Sequence, residues 1–157
     1  MKIQQLAREH QIIVTSASLL GWDQETYMPE SAASFRAEQL SWLSSRAHEL
    51  CTSAAWHDAL ENAARQTDPG DSATSACLRE MKRRYHLAAK LPVELVAAET
   101  SASSISKHAW AQARKDNDYQ RFVPHLQGLV DIARQKAELW GYSNEPYDAL
   151  LDCHERG

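Results

Sequence analysis

Apolar positions recur at intervals of three and four from the start of the chain. Ile3, Leu6, Ile13, Ala17 and Leu20, with His10 in register, form one stripe that predicts an amphipathic helix running to about Gly21. A second stripe, Phe35, Gln39, Trp42 or Leu43, Ala47 and Leu50, predicts a helix from about Ala32. Ser53 is placed to cap a short third helix carrying Trp56 and Leu60. Thr67-Asp68-Pro69-Gly70-Asp71-Ser72 is turn chemistry.

The pattern resumes from about Ala73 to Ala89 with Cys77 or Leu78, Met81, Tyr85 and Ala88. It resumes again from Pro92 to about Lys115 with Leu95, Ala98 or Glu99, Ala102, Ile105, Ala109 and Trp110. Asn117-Asp118 supplies a stop and the next cap. A sixth helix then runs to Trp140 with Phe122, Leu126, Leu129, Ile132 or Ala133 and Ala137 inward, and Gly141 follows as its C-terminal cap. Pro124, six residues past Asp118, should kink that helix or delay its start. Pro146 opens one or two further turns reaching Asp152. No window of five residues alternates apolar with polar, so the fold class is all-α: an antiparallel bundle of about six helices forming a single domain over residues 1–157.

Composition makes the core of that bundle thin. Leu, Ile, Val and Phe number only 28 of 157, while 24 alanines favour helix but bring little hydrophobic area. Five tryptophans, Trp22, Trp42, Trp56, Trp110 and Trp140, are expected to supply the missing core bulk. A net charge of -4 with no basic face along the chain argues against nucleic acid as a partner. The one basic stretch, Arg79 to Lys90, reads as a solvated helix face rather than an anion site. No apolar run approaches a membrane span, and Arg8, Glu9 and His10 stand where an export signal would be apolar, so a cytoplasmic location is expected. Cys51, Cys77 and Cys153 form no C-x-x-C and read as reduced, packed thiols.

Chemistry-bearing motifs are scarce. The zinc-protease pattern H-E-x-x-H requires two histidines one helical turn apart; His48-Glu49 has no second histidine and His154-Glu155 is followed by only two residues. The residue three before each of the seven histidines is never Glu, which excludes the E-x-x-H pairs of di-iron bundles. There is no G-x-S-x-G and no glycine-rich phosphate loop. Catalytic, cofactor-binding and metal-ligating residues are therefore all expected to be absent from this chain. The least generic segment is Trp22-Asp23-Gln24-Glu25-Thr26-Tyr27-Met28-Pro29. Its paired carboxylates, Asp23 and Glu25, beside aromatics could carry a raised pKa and acid/base work, or Asp23 could brace the helix junction.

That segment belongs to a larger resemblance. Leu20 to Pro29, Arg36-Ala37-Glu38-Gln39-Leu40 and Lys90-Leu91-Pro92-Val93-Glu94-Leu95-Val96 occur in order. They are followed by Ala109-Trp110 with Ala113-Arg114, Asn117-Asp118-Tyr119 with Phe122 and Pro124, Gly141-Tyr142, and Pro146 to Asp152. Together these resemble the N-terminal region of the carboxypeptidase Taq family of thermostable metallocarboxypeptidases. The resemblance implies the N-terminal part of a larger helical, cleft-bearing peptidase that removes peptide C-terminal residues with a zinc or cobalt ion and is often a homodimer. It implies also that the H-E-x-x-H helix and substrate-binding residues lie beyond the equivalent of Gly157, and that this chain alone is inactive, its partner being the missing catalytic region or a second copy. Cys153-His154-Glu155-Arg156-Gly157 departs from the aromatic-Glu-Pro-Gly sequence expected there. A stand-alone dimerisation or interaction module is the alternative, and an unrecognised metal-binding bundle a third possibility.

Overall fold

A computed structural model describes residues 2–68, 70–151 and 153. Among these there is no strand. The helices are α1 (Lys2–Thr26), α2 (Ala33–Thr52), α3 (Ala54–Gln66), α4 (Ser72–Ala88), α5 (Val93–Lys115), α6 (Tyr119–Trp140) and α7 (Pro146–Leu151), with a single 3₁₀ turn at Glu30–Ala32. The all-α reading holds. The first helix, however, runs five residues past Gly21, so the Trp22–Thr26 segment is helix rather than loop. Gly21 is accommodated because helix continuity needs no side chain there and nothing lies within 4 Å of where one would project.

Caps fall where local chemistry puts them. The Ser53 hydroxyl accepts from the Trp56 N–H at 3.1 Å, and Asp71 and Asp118 accept from the Thr74 and Arg121 N–H groups. Asn117 closes α5 with φ 52°. Its own N–H reaches the Arg114 carbonyl and that of Asp118 reaches Ala113, the paired bonds of a left-handed helix stop. The sixth helix neither starts late nor waits for Pro124: it begins directly after Asp118. The carbonyl that Pro124 leaves unbonded, on Gln120, lies in the exposed first turn, where water can replace the lost donor.

Neighbouring helices pack in a row, α1 on α2, α2 on α5, α5 on α6 and α6 on α7, with the α3–α4 hairpin against α1 and α2. Cross-contacts fix the directions. The start of α2 lies beside the end of α1 through Arg36, and Ser41 with Ala97 and His48 with Leu91 run α5 antiparallel to α2. Two kinds of core result. Ile3, Trp56, Ala59, Leu60, Ala63 and Leu78 close α1 onto the hairpin, with Leu60 1% exposed. Along α2, α5 and α6 the buried residues are Ala37, Ala47, Ser104, Ser106, Ala113 and Ala137, so these helices meet through small side chains.

The tryptophans do not all fill the core as expected. Trp56 is buried, but Trp22, Trp42 and Trp110 are exposed, as is Phe35, which the periodicity placed inward. Helix faces left without a packing neighbour keep the aromatics they carry in water. The consequence is measurable: the chain exposes 10353 Å², against roughly 8,000 Å² for a compact monomer of this mass.

Candidate functional site

The segment singled out by its composition is where three helices meet. Consecutive residues on a helix point about 100° apart, so Asp23, Gln24 and Glu25 face different neighbours. Asp23 Oδ2 accepts from Arg36 Nη2 of α2 at 2.6 Å, and Arg36 also donates to the Leu20 carbonyl and, through Nε, to Gln39. Gln24 turns to α5, where its amide donates to the Ser104 carbonyl at 3.0 Å and the Ser104 hydroxyl donates back to Gln24 Oε1 at 2.9 Å. Glu25 reaches one turn further along α5 to Lys107, and beyond the turn Glu30 accepts from Gln112 at 2.8 Å.

This geometry decides between the two readings of the carboxylates. Asp23 braces the α1–α2 junction: its carboxylate holds the largely buried Arg36, and its carbonyl accepts the N–H groups of Tyr27 and Met28 that end the helix. Glu25 is exposed, and the hydrogen bond and positive charge of Lys107 hold its carboxyl below the ordinary range. A carboxylate so stabilised keeps its charge at neutral pH and cannot serve as a proton donor there. For Glu25, the raised pKa expected as one option is thus replaced by a lowered one. The brace was legible in the sequence only as one alternative for Asp23. Its partners, Arg36, Ser104 and Lys107, lie 13, 80 and 82 positions away and carry no local signal.

Beside the junction, Gln24, Met28, Lys107, His108, Trp110 and Glu25 line a recess of about 430 Å³. Trp110 stacks under Arg114 at 5.4 Å, and Trp22 meets Tyr27 edge-on at 5.5 Å. The recess lining contains no hydroxyl or thiol nucleophile paired with a base, so it offers no acyl-transfer chemistry.

Other titratable groups are engaged structurally. His10 is edge-on to Trp56 at 5.6 Å, and burial pushes its pKa below the ordinary value. His48 Nε2 lies 2.9 Å from the Leu91 carbonyl. In the basic stretch, Arg83 and Arg84 hold Glu80 down to about 2, Lys82 pairs with Glu61 at 2.7 Å, and Lys90 donates to the last carbonyl of α6 at Trp140. All three cysteines are free. Only Cys51 is packed, and burial raises its thiol pKa; Cys77 and Cys153 are exposed, contrary to the packed reading.

No group of three or more His, Cys, Asp or Glu side chains among the described residues could hold a metal ion. His154 and Glu155 lie outside the described residues. Among the described residues no helix is long and apolar enough to cross a membrane.

Comparison with known proteins adds one consistent result. Residues 2–157 match the family described as carboxypeptidase Taq (M32) metallopeptidase. The chain is 31% identical over 140 residues to thermostable carboxypeptidase 1 of Pyrococcus furiosus, which covers 89% of this chain and 28% of that protein. It is 28% identical over 142 residues to carboxypeptidase 1 of Bacillus subtilis, covering 90% of this chain and 28% of that protein. The BsuCP crystal structure superposes with a TM-score of 0.92 at 26% identity over 98% of this chain and 31% of its own. The chain therefore spans less than a third of the length of these relatives. The metal dependence of such peptidases finds no fitting donor set among the described residues, so no catalytic step is assigned to a metal here.

Proposed function

The chain belongs to the carboxypeptidase Taq (M32) metallopeptidase family, and from that premise we propose that it is the N-terminal helical portion of a metal-dependent carboxypeptidase that removes residues from peptide C-termini. Its role in the complete enzyme is to wall the substrate cleft and support the catalytic helices. Zinc or cobalt and the peptide substrate are bound by the remainder, and the portion alone is inactive. The observation that carries this reading is a match along the whole chain combined with 28% coverage of the Pyrococcus enzyme and a sequence that lacks H-E-x-x-H. A cytoplasmic location, where three free thiols stay reduced, goes with it.

The test is a chimera in which residues 2–157 replace the matched part of the Bacillus subtilis carboxypeptidase. We expect zinc- or cobalt-dependent release of C-terminal residues from a peptide. A chimera that folds, binds its metal and releases nothing would refute the proposal.

The large exposed area favours a second reading, a stand-alone module that self-associates through its uncovered faces. Light scattering on the isolated chain separates the two: a monomer at all concentrations counts against self-association.

A further inference from the structure

Along the outer side of the α1–α2 pair runs an apolar groove of about 460 Å³, lined by Leu20, Phe35, Gln39, Trp42 and Leu43, with Glu38 among its walls. Phe35 and Trp42 are each 64% exposed, although aromatic side chains of this size are the ones a helical protein gains most from covering. They stand seven residues apart on α2, two helical turns or about 10.5 Å. An incoming α-helix with apolar residues at the same interval presents knobs at that spacing, so the groove has the form of half a helix–helix interface.

Three observations identify the occupant. The chain exposes roughly 2,400 Å² more than a compact monomer of its mass, more than the ~800 Å² that one partner contributes to an ordinary interface. Such a surplus fits a piece covered by much further polypeptide. The chain also accounts for only 28–32% of the relatives' length, and over it the fold matches theirs, with a TM-score of 0.92 in one case. Finally, Glu38 in the groove wall makes no ion pair among the described residues, so its carboxylate is open to a cation from the occupant. We propose that the α1–α2 groove seats an apolar helix from the part of an M32 carboxypeptidase beyond this chain's match, with a lysine or arginine of that helix meeting Glu38. This rests on the function proposed above.

Thermal unfolding of the Phe35→Ser/Trp42→Ser double variant tests it, in the isolated chain and in the Bacillus chimera. In the isolated chain both side chains face water and the Tm should not move; in the chimera it should fall by several degrees, and Glu38→Lys should lower it in the chimera alone. A chimera as stable with the double substitution as without it overturns the assignment, as does a chimera that fails to fold with the groove intact. Self-association of the isolated chain that the double variant abolishes would give the groove to a second copy and overturn it too. A folded but inactive chimera that keeps the Tm contrast would sink the proposed function while supporting the groove.

Discussion

Gln24 and Ser104, eighty positions apart, exchange two hydrogen bonds: the Gln24 amide donates to the Ser104 main-chain carbonyl, and the Ser104 hydroxyl donates to Gln24 Oε1. Ser104 is buried, so its hydroxyl has no water to fall back on. The pair pins the end of α1 to the middle of α5, beside the Glu25–Lys107 ion pair that joins the same two helices. A double-mutant cycle with Gln24→Met and Ser104→Ala, followed by urea unfolding, should give a coupling of about 1 kcal/mol. Additive losses would mean that the two residues do not act as a unit.

Asp23 and Arg36 make the companion brace from α1 to α2. Arg36 is only 11% exposed in its side chain, and Asp23→Ala leaves that guanidinium with two of its three partners. The loss should be about 1 kcal/mol, reduced from the value for a fully buried charged bond because Asp23 is partly solvated. In an active chimera the same substitution should lower stability without changing the pH profile of turnover. A displaced pH profile would restore an acid/base role.

Gly21 lies inside α1 with open space where a Cβ would go. Gly21→Ala should stabilise the isolated chain by about 0.5–1 kcal/mol, since alanine costs less backbone entropy in a helix interior. A loss of stability on urea unfolding would show that the helix breaks where the sequence pattern suggested.

How much of this was legible beforehand depended on whether the cause was local. The caps at Ser53 and Asp118 and the stop at Asn117 follow from a side chain and the backbone within three residues, and the sequence shows them. The stripe Ile3, Leu6 and Leu20 marks a face, but not which part of that face will be covered, because exposure is set by neighbours many residues away. Trp42 and Phe35 failed for that reason: their periodicity is that of a helix with something to pack against, and none of the described helices covers them. The carboxylates at Asp23 and Glu25 could be noticed but not assigned, since the choice between acid and brace rests on Arg36 and Lys107.

Stability should respond to pH mainly through His10 in the near-neutral range. Burial lowers its pKa, so the unfolded chain takes up a proton at about 6.5 before the folded one does. Its contribution is intact above that pH and is lost as pH falls from about 6.5 toward the lowered folded value. Glu25, Glu61, Asp71 and Glu80 are held low by their partners and lose their contributions only at more acid pH, below the ordinary carboxylate range. Chemical unfolding at pH 5.5 and 7.5 should show lower stability at the acid end, and His10→Gln should remove much of the difference. An unchanged difference in the variant would assign it elsewhere.

The central claim is that this chain supplies scaffold and cleft wall while the metal chemistry resides in the rest of the fold. The most direct test is a C-terminal residue release assay on the isolated chain with zinc or cobalt added. We expect no release above the buffer rate at either metal. Sustained, metal-dependent turnover by the isolated chain would contradict the account.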